Sequence, residues 1–168
     1  EHRGSDHVHS LPLLSMDYFF LTVDGLLKKD EIIGKMLDSE DDLNDALEKG
    51  DVVKCLILRD MRSKAMFGWV VLSKGSDADG YAVDVLSEAI RWLGYTRLIL
   101  KSDNEPAIVK LLEDTMAAIR VQVEEVKPEH SQPYDSQANG SAENAIRNLR
   151  GMLRTFRSCL EERFGKKL

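Results

Sequence analysis

The sequence predicts a mixed α/β fold in which a five-stranded sheet is flanked by helices, and three observations favour it. Segments rich in aromatic and β-branched residues open the chain, strand-like and helix-like periodicities then alternate, and no internal repeat interrupts this order. The 168 residues are enough for one domain with a full hydrophobic core. No apolar run reaches the length of about 18 residues that a membrane span needs, so we expect no membrane partner.

Three strands are expected to form the antiparallel part of the sheet. Residues 15–23 (SMDYFFLTV) carry the aromatic and β-branched side chains that are typical of strands. Residues 52–60 and 65–73 are similarly apolar and flank a short polar turn, which predicts a β-hairpin.

The second half of the chain alternates between helix and strand signals, which predicts crossover connections and parallel strands. Gly94 ends one helical pattern and Pro106 stands in the first turn of another, as their backbone preferences favour. The predicted order is helix 81–94, strand 96–103, helix 105–119, strand 120–126, loop 127–140 and a helix from Ser141 to about Arg163.

Charge is distributed unevenly along the chain, whose formal net charge is −6. Residues 24–51 hold ten acids against four lysines, and we interpret them as an acidic insertion with one or two short helices. Residues 144–168 hold seven bases against two acids. The local field decides what a surface attracts, so the basic segment can bind a polyanion despite the total charge. We divide the chain into an N-terminal linker, residues 1–14, and one domain, residues 15–168.

Three carboxylates are candidates for a metal site. Asp103 ends a predicted strand, Asp17 lies in the first strand, which should be its neighbour, and Glu143 opens the last helix. In such sheets ligands gather at the carboxyl ends of the strands, so the three side chains can converge. Converging carboxylates repel one another unless a cation neutralises them, and oxygen ligands suit two Mg²⁺ or Mn²⁺ ions that act on a phosphodiester.

Each carboxylate also has an ordinary structural interpretation. Asp17 can be a polar residue of a half-buried strand, although aspartate is depleted in strands. Asp103 can belong to a strand-to-helix turn, and Glu143 can be an acid favoured by the dipole at the start of a helix. Their spacing alone does not decide between these interpretations and a catalytic site.

The last helix presents arginines on the same side as Glu143. They follow Glu143 by 4, 7, 11 and 14 residues, which places all five side chains within a wedge of roughly 80°. Arginines without interleaved acids repel one another, and a polyanion relieves that repulsion; a solvated surface is the alternative interpretation. The arginines are Arg147, Arg150, Arg154 and Arg157, and the adjacent apolar stripe is Ile146, Leu149, Leu153, Phe156, Leu160 and Phe164.

A longer motif surrounds Glu143. Residues 133–143 read PYDSQANGSAE and match the pattern P-Y-x-x-Q-x-x-G-x-x-E. With this stretch, the chain resembles the catalytic core of retroviral and retrotransposon integrases over roughly residues 15–164. The other segments that carry the resemblance are SDN at 102–104, MDYFFL at 16–21 and LRDMRSK at 58–64.

The resemblance implies an RNase H-like fold and an Asp-Asp-Glu triad. It implies that Asp17, Asp103 and Glu143 hold two Mg²⁺ or Mn²⁺ ions and are the catalytic residues. Gln137 and Asn139 would lie in the loop that approaches the end of the element DNA.

The resemblance also implies that Arg147 and Arg150 contact DNA ends, whereas Asp60 and Ser63 are structural residues of a hairpin turn. The expected partners are element DNA, target DNA and further copies of the chain in a homodimer or larger homo-oligomer. No secretory leader opens the sequence, so we expect an intracellular protein, and the resemblance implies that it acts in the nucleus.

The chain departs from the retroviral pattern at several points, and two of them concern the spacing of the triad and the acidic insertion. The 39 residues between Asp103 and Glu143 exceed the retroviral spacing, which favours a retrotransposon or a related element. The acidic insertion is unusual for the family. Two other functions therefore stay open, namely a non-catalytic integrase-derived domain for DNA binding or oligomerisation and an RNase H-like nuclease that cleaves RNA–DNA hybrids. The sequence does not identify the surface of self-association, and helices 81–94 and 105–119 are the candidates with apolar faces.

Overall fold

A computed structural model describes residues 10–23, 25–76, 79–130 and 140–167. Strands and helices follow one another in the predicted alternation, and a short additional strand and two short helices fall within the acid-rich segment. The elements are β1 Leu13–Thr22, β2 Gly25–Leu27, α1 Lys29–Ile32, α2 Glu40–Lys49, β3 Val53–Asp60, β4 Met66–Val70, α3 Tyr81–Leu93, β5 Arg97–Ser102, α4 Pro106–Ile119, β6 Glu125–His130 and α5 Gly140–Phe164.

The sheet has the mixed topology that the sequence predicts. Its strand order is β4-β3-β1-β5-β6, and the three-residue β2 pairs with β1 as a sixth strand. β3 runs antiparallel to β1 and β4, while β5 runs parallel to β1 and β6. β1 is central because its apolar side chains are buried on both faces of the sheet.

Alternation along β1 separates two cores, since successive side chains of a strand point to opposite faces. Leu14 and Met16 belong to the larger core, which α3 and α4 cover with buried leucine and isoleucine side chains. Phe19 belongs to a second core, which α5 completes with Ala145 and Ile146. Asp17 shares the face of Phe19, so its side chain lies on the side of the sheet that α5 covers.

The acid-rich segment is folded against the sheet. Its apolar residues Ile32, Leu43 and Val52 pack with Phe20 of β1 in a third core, while its acids stay mostly exposed. The hydroxyl of Ser39 accepts a hydrogen bond from the backbone N–H in the first turn of α2 and so starts that helix. The insertion thereby brings its first residues close to β1.

Several boundaries differ from the prediction, among them the end of β4 at Val70, the start of β1 and the position of β6. β1 begins at Leu13, because Leu13 and Leu14 are buried in the core, so the predicted linker 1–14 extends too far; residues 1–9 lie outside the described part of the chain. β6 is Glu125–His130 and not 120–126. The alternating valines that predicted a strand at 120–126 lie in a turn, and Val123 packs into the larger core there.

β6 accommodates a proline because it is an edge strand. Pro128 pairs with Leu100 in the parallel register, and a missing N–H costs nothing where it would face solvent. The predicted loop 127–140 therefore loses its first four residues to β6, and residues 131–139 are not described.

α5 extends beyond the sheet. It has 25 residues, a length of roughly 37 Å, which exceeds that of the strands beneath it. The predicted apolar stripe is buried only in its first part, at Ile146 and in part at Leu149, and it is exposed from Leu153 onward. The apolar faces of α3 and α4 pack against the sheet in the larger core. Among the described residues, no helix is long and apolar enough to cross a membrane.

Asp60 anchors the turn between β3 and β4. Its buried carboxylate accepts hydrogen bonds from the backbone N–H groups of Arg62 and Ser63, from the Ser63 hydroxyl and from the Tyr95 hydroxyl. Burial raises the pKa of Asp60, but these hydrogen bonds outweigh it and hold the pKa below its usual range. The geometry agrees with a structural role for Asp60 and Ser63.

Asp60→Ala should therefore lower the free energy of unfolding by about 2 kcal/mol, because it leaves several partly buried donors without their acceptor. Urea unfolding near neutral pH measures this change. Asp51→Ala, at an exposed residue after α2, should change stability by less than about 0.5 kcal/mol. Equal effects of the two substitutions would contradict the structural role of Asp60.

Candidate functional site

Asp17 lies in the middle of β1 and is almost buried, with 8% of its surface exposed. Its Oδ1 accepts a hydrogen bond of 2.8 Å from the backbone N–H of Tyr18. Burial raises the pKa of Asp17 to about 6; the Lys28 ammonium lowers the pKa and the Asp103 carboxylate raises it further. The raised pKa means that the surroundings of Asp17 disfavour its charged form. Such shifts are common at functional sites.

Asp103 follows β5 directly and is placed by the pairing of β5 with β1. The parallel register joins Leu13 to Ile99 and Ser15 to Lys101. Continued by two residues, this register brings Asp103 across from Asp17, and the effect of Asp103 on the pKa of Asp17 agrees with that placement. Asp103 Oδ1 also accepts a hydrogen bond of 3.2 Å from the N–H of Glu105, so the turn interpretation is correct as well.

Glu143 lies in the first turn of α5, beside the residues that face the sheet. Ala142 and Ala145 are fully buried, and these small residues let the helix lie close to the strands beneath it. The Glu143 side chain keeps 42% of its surface exposed, and its Oε1 points to Lys28. It is therefore positioned at the edge of the buried region that holds Asp17.

Lys28 joins two of the three carboxylates, and the sequence reasoning did not identify it. Its Nζ lies 2.8 Å from Glu143 Oε1 and 3.4 Å from Asp17 Oδ2. Partial burial lowers the pKa of Lys28, but the hydrogen bond to Glu143 and the charge of Asp17 outweigh this and raise it. The sequence offers only a weak signal, a lysine pair at the start of an acidic segment, because Lys28 and Glu143 are far apart in the chain.

The carboxylates have the right chemistry for a hard cation, but a metal-binding cluster is not assembled. Within the described ranges, no three acidic, histidine or cysteine side chains come together as a metal site. Asp17 and Glu143 instead share the ammonium of Lys28, and Asp103 stands beside Asp17. Carboxylate oxygens suit Mg²⁺ or Mn²⁺, so these side chains have the chemistry to hold such an ion. In the structure, the Lys28 ammonium lies between two of them.

The four arginines of α5 that were predicted to contact DNA fall into two groups, those with an acidic partner among the described residues and those without one there. Arg150 donates to the backbone oxygen of Leu26 and lies 3.3 Å from Glu31, and Arg157 pairs with Glu161 at 2.9 Å. The expectation that the arginines lack acidic partners is therefore wrong for these two. Arg147 and Arg154 are exposed and make no ion pair within the part of the chain that the structure describes.

A cleft of about 200 Å³ runs between the β1–β2 hairpin and α5. Guanidinium groups and apolar side chains both line this cleft, a combination that suits an anion with an apolar part. The lining includes Arg150, Arg154, Arg157, Leu21, Leu26 and Leu153. Gln137 and Asn139, the other residues expected at DNA, lie outside the described residues.

Comparisons with known proteins agree with the fold. No protein-family model matches this chain, and no curated protein does. Among solved structures, it is similar to a chain in the cryo-EM structure of the simian T-cell lymphotropic virus intasome in complex with the PP2A regulatory subunit B56 gamma. The similarity is one of fold. The TM-score is 0.56 at 16% sequence identity, and the match covers 87% of this chain but 41% of that one.

Proposed function

We propose that this chain is the catalytic core of an integrase from a retrotransposon-like element. It would cleave the 3′ end of element DNA and then join that end to target DNA, which is polynucleotidyl transfer. The observation that carries the proposal is the shared cation contact of Asp17 and Glu143, with Asp103 beside Asp17, in a fold similar to that of an intasome chain. Carboxylates from separate elements meet at one point, where the Lys28 ammonium lies between Asp17 and Glu143.

Asp17, Asp103 and Glu143 would hold the metal ions, and two bound Mg²⁺ or Mn²⁺ ions supply charge stabilisation for the attacking and leaving oxygens of a phosphodiester. The protein's part is to fix its carboxylates and limit water. β1 and β5 hold the two aspartates in adjacent strands, and the packing of Ala142 and Ala145 fixes the start of α5. The burial of Asp17 keeps this side of the site poor in water.

The basic side of α5 is the proposed DNA surface. Arg147 and Arg154 are exposed on the same helix as Glu143, so a strand bound there would run past the carboxylates. The exposed apolar residues of α5 between Met152 and Phe164 form a surface that suits contact with another protein. The proposed partner is a second copy of this chain. Integration also places the proposed activity in the nucleus.

Replacing both Arg147 and Arg154 by alanine should weaken DNA binding and lower the slope of log affinity against log salt by about 2, since each exposed guanidinium contacts one phosphate. Fluorescence anisotropy of labelled duplex DNA over a salt series measures the slope. Arg157→Ala, which removes a guanidinium that already pairs with Glu161, should change it less. An unchanged slope in the double variant would exclude these residues as phosphate contacts.

The proposal is tested by metal-dependent disintegration of a branched DNA that mimics the joined product. We expect strand rejoining with Mn²⁺ and, more slowly, with Mg²⁺, and no product with EDTA. We expect an RNA–DNA hybrid of the same sequence to be cleaved much less than the branched DNA. A nuclease specific for such hybrids would show the opposite preference. Cleavage of the hybrid alone would replace the integrase assignment by a nuclease.

A non-catalytic DNA-binding domain is the second candidate, and one observation favours it. Lys28 neutralises Asp17 and Glu143 without any metal, as a structural ion pair would. This candidate predicts salt-dependent DNA binding together with inactivity on every substrate, with or without divalent metal.

A further inference from the structure

We propose that Lys28 is a built-in cation that takes the place of a metal ion between Asp17 and Glu143, and that a divalent metal must displace it to bind. The inference rests on the proposed function, since it concerns the same carboxylates. It adds a residue outside the triad that sets how tightly the site binds metal.

The Lys28 ammonium occupies the position between Asp17 Oδ2 and Glu143 Oε1 that a metal ion bridging these two oxygens would need. It lies within direct contact of one carboxylate oxygen of Glu143 and near one of Asp17. A divalent ion that used those oxygens would stand beside the ammonium, and two cations at that separation repel strongly in a partly buried site. Metal binding and the lysine contact therefore exclude each other.

Glu31 and Arg150 together hold the backbone of Lys28 in place. Its N–H donates to Glu31 Oε2 at 2.9 Å, and Arg150 of α5 lies 3.3 Å from that same oxygen while it also donates to the carbonyl of Leu26. Lys28 is thereby tied to the helix that carries Glu143. Its contact with the carboxylates follows from this arrangement and does not depend on a freely moving surface loop.

The side chain of Lys28 can nevertheless leave the site. The ammonium sits on a flexible four-carbon stem, and 35% of the side chain is exposed to solvent. Withdrawal of the stem frees Asp17 and Glu143 without any change in the backbone. Lys29, by contrast, pairs with the exposed Glu40 and does not reach the carboxylates, which makes it a matched control.

The test is Mn²⁺ binding, measured from the free-ion signal in electron paramagnetic resonance, for the whole chain and three variants. Lys28→Met keeps the stem and removes the charge, and it should bind Mn²⁺ roughly tenfold more tightly than the wild type. Lys28→Arg keeps a cation and should bind no more tightly than the wild type. Lys29→Met removes the same charge one residue away and should leave the affinity unchanged.

Thermal unfolding gives a second readout that a purely structural lysine would not produce. Without metal, Lys28→Met should melt at a lower temperature than the wild type, because Asp17 and Glu143 then repel without a counterion. Saturating Mn²⁺ should raise its melting temperature by more than it raises that of the wild type. A loss that Mn²⁺ does not restore would show a structural ion pair and overturn the proposal.

The failure of this inference is distinguishable from that of the proposed function. Equal Mn²⁺ affinity in Lys28→Met and the wild type, with binding lost in Asp103→Asn, would keep the metal site and reject the role of Lys28. No Mn²⁺ binding in either protein would reject both.

Discussion

Glu143→Gln should reduce Mn²⁺-dependent disintegration about 1000-fold, which corresponds to roughly 4 kcal/mol of lost transition-state stabilisation. The amide cannot carry the negative charge that a divalent ion requires, and it also breaks the charge pairing with Lys28. Product formation on the branched DNA, followed over time at fixed Mn²⁺ concentration, measures the loss. The fold should persist, because Glu143 lies at the edge of the core and Ala142 and Ala145 make the helix contacts.

Glu162→Gln is the matched control for that substitution. It makes the same change on the same helix, at an exposed residue near the other end of α5. Its activity should stay within about twofold of the wild type, since it removes no contact with the carboxylates. If both variants retained full metal-dependent turnover, Glu143 would not be a catalytic residue and the integrase assignment would fail.

Asp17→Asn should stabilise the metal-free protein by up to about 3 kcal/mol at neutral pH. The pKa of Asp17 is raised from 3.8 to about 6, mainly by burial, so the folded state favours the protonated carboxyl. The stabilising effect of that proton is fully present below pH 3.8 and is lost as the pH rises through about 6. Asparagine has no such proton to lose, and its advantage should therefore grow over this range.

Urea unfolding in EDTA at a series of pH values measures this difference. The variant and the wild type should be nearly equal near pH 4 and diverge up to about pH 7. Asp45→Asn, at an exposed position of α2, should show no such trend. Saturating Mn²⁺ should reverse the order, because it stabilises only the protein that keeps its ligand. A constant difference at all pH values would show that the carboxyl is not disfavoured by its surroundings.

The sheet and its helices follow from periodicity, and the errors have local causes. β1, β3, α3, β5 and α4 lie within a few residues of the prediction, because their apolar side chains recur with the spacing of the structure that buries them. β6 was misplaced because Val121 and Val123 alternate like strand residues. Val121 is 95% exposed in a turn, and only pairing with β5 identifies the true strand around Pro128.

The candidate site was predictable in part. The order of strands and helices along the chain places Asp17 in β1 and Asp103 at the end of the neighbouring β5. The motif before Glu143 marks the start of α5. Lys28 was not predictable, because its contact with Glu143 depends on how the acid-rich segment folds back on β1. The partners of Arg150 depend on the same segment. The residue spacing along α5 predicts the direction of a side chain but not the residues that it contacts.

The most direct test of the central claim is the location of bound Mn²⁺ in crystals of this chain, from anomalous diffraction at the manganese edge. We expect a peak bounded by Asp17, Asp103 and Glu143, with the Lys28 ammonium withdrawn from both Asp17 and Glu143. Crystals soaked at a Mn²⁺ concentration that supports disintegration, yet with no peak there and with Lys28 still between the carboxylates, would contradict it.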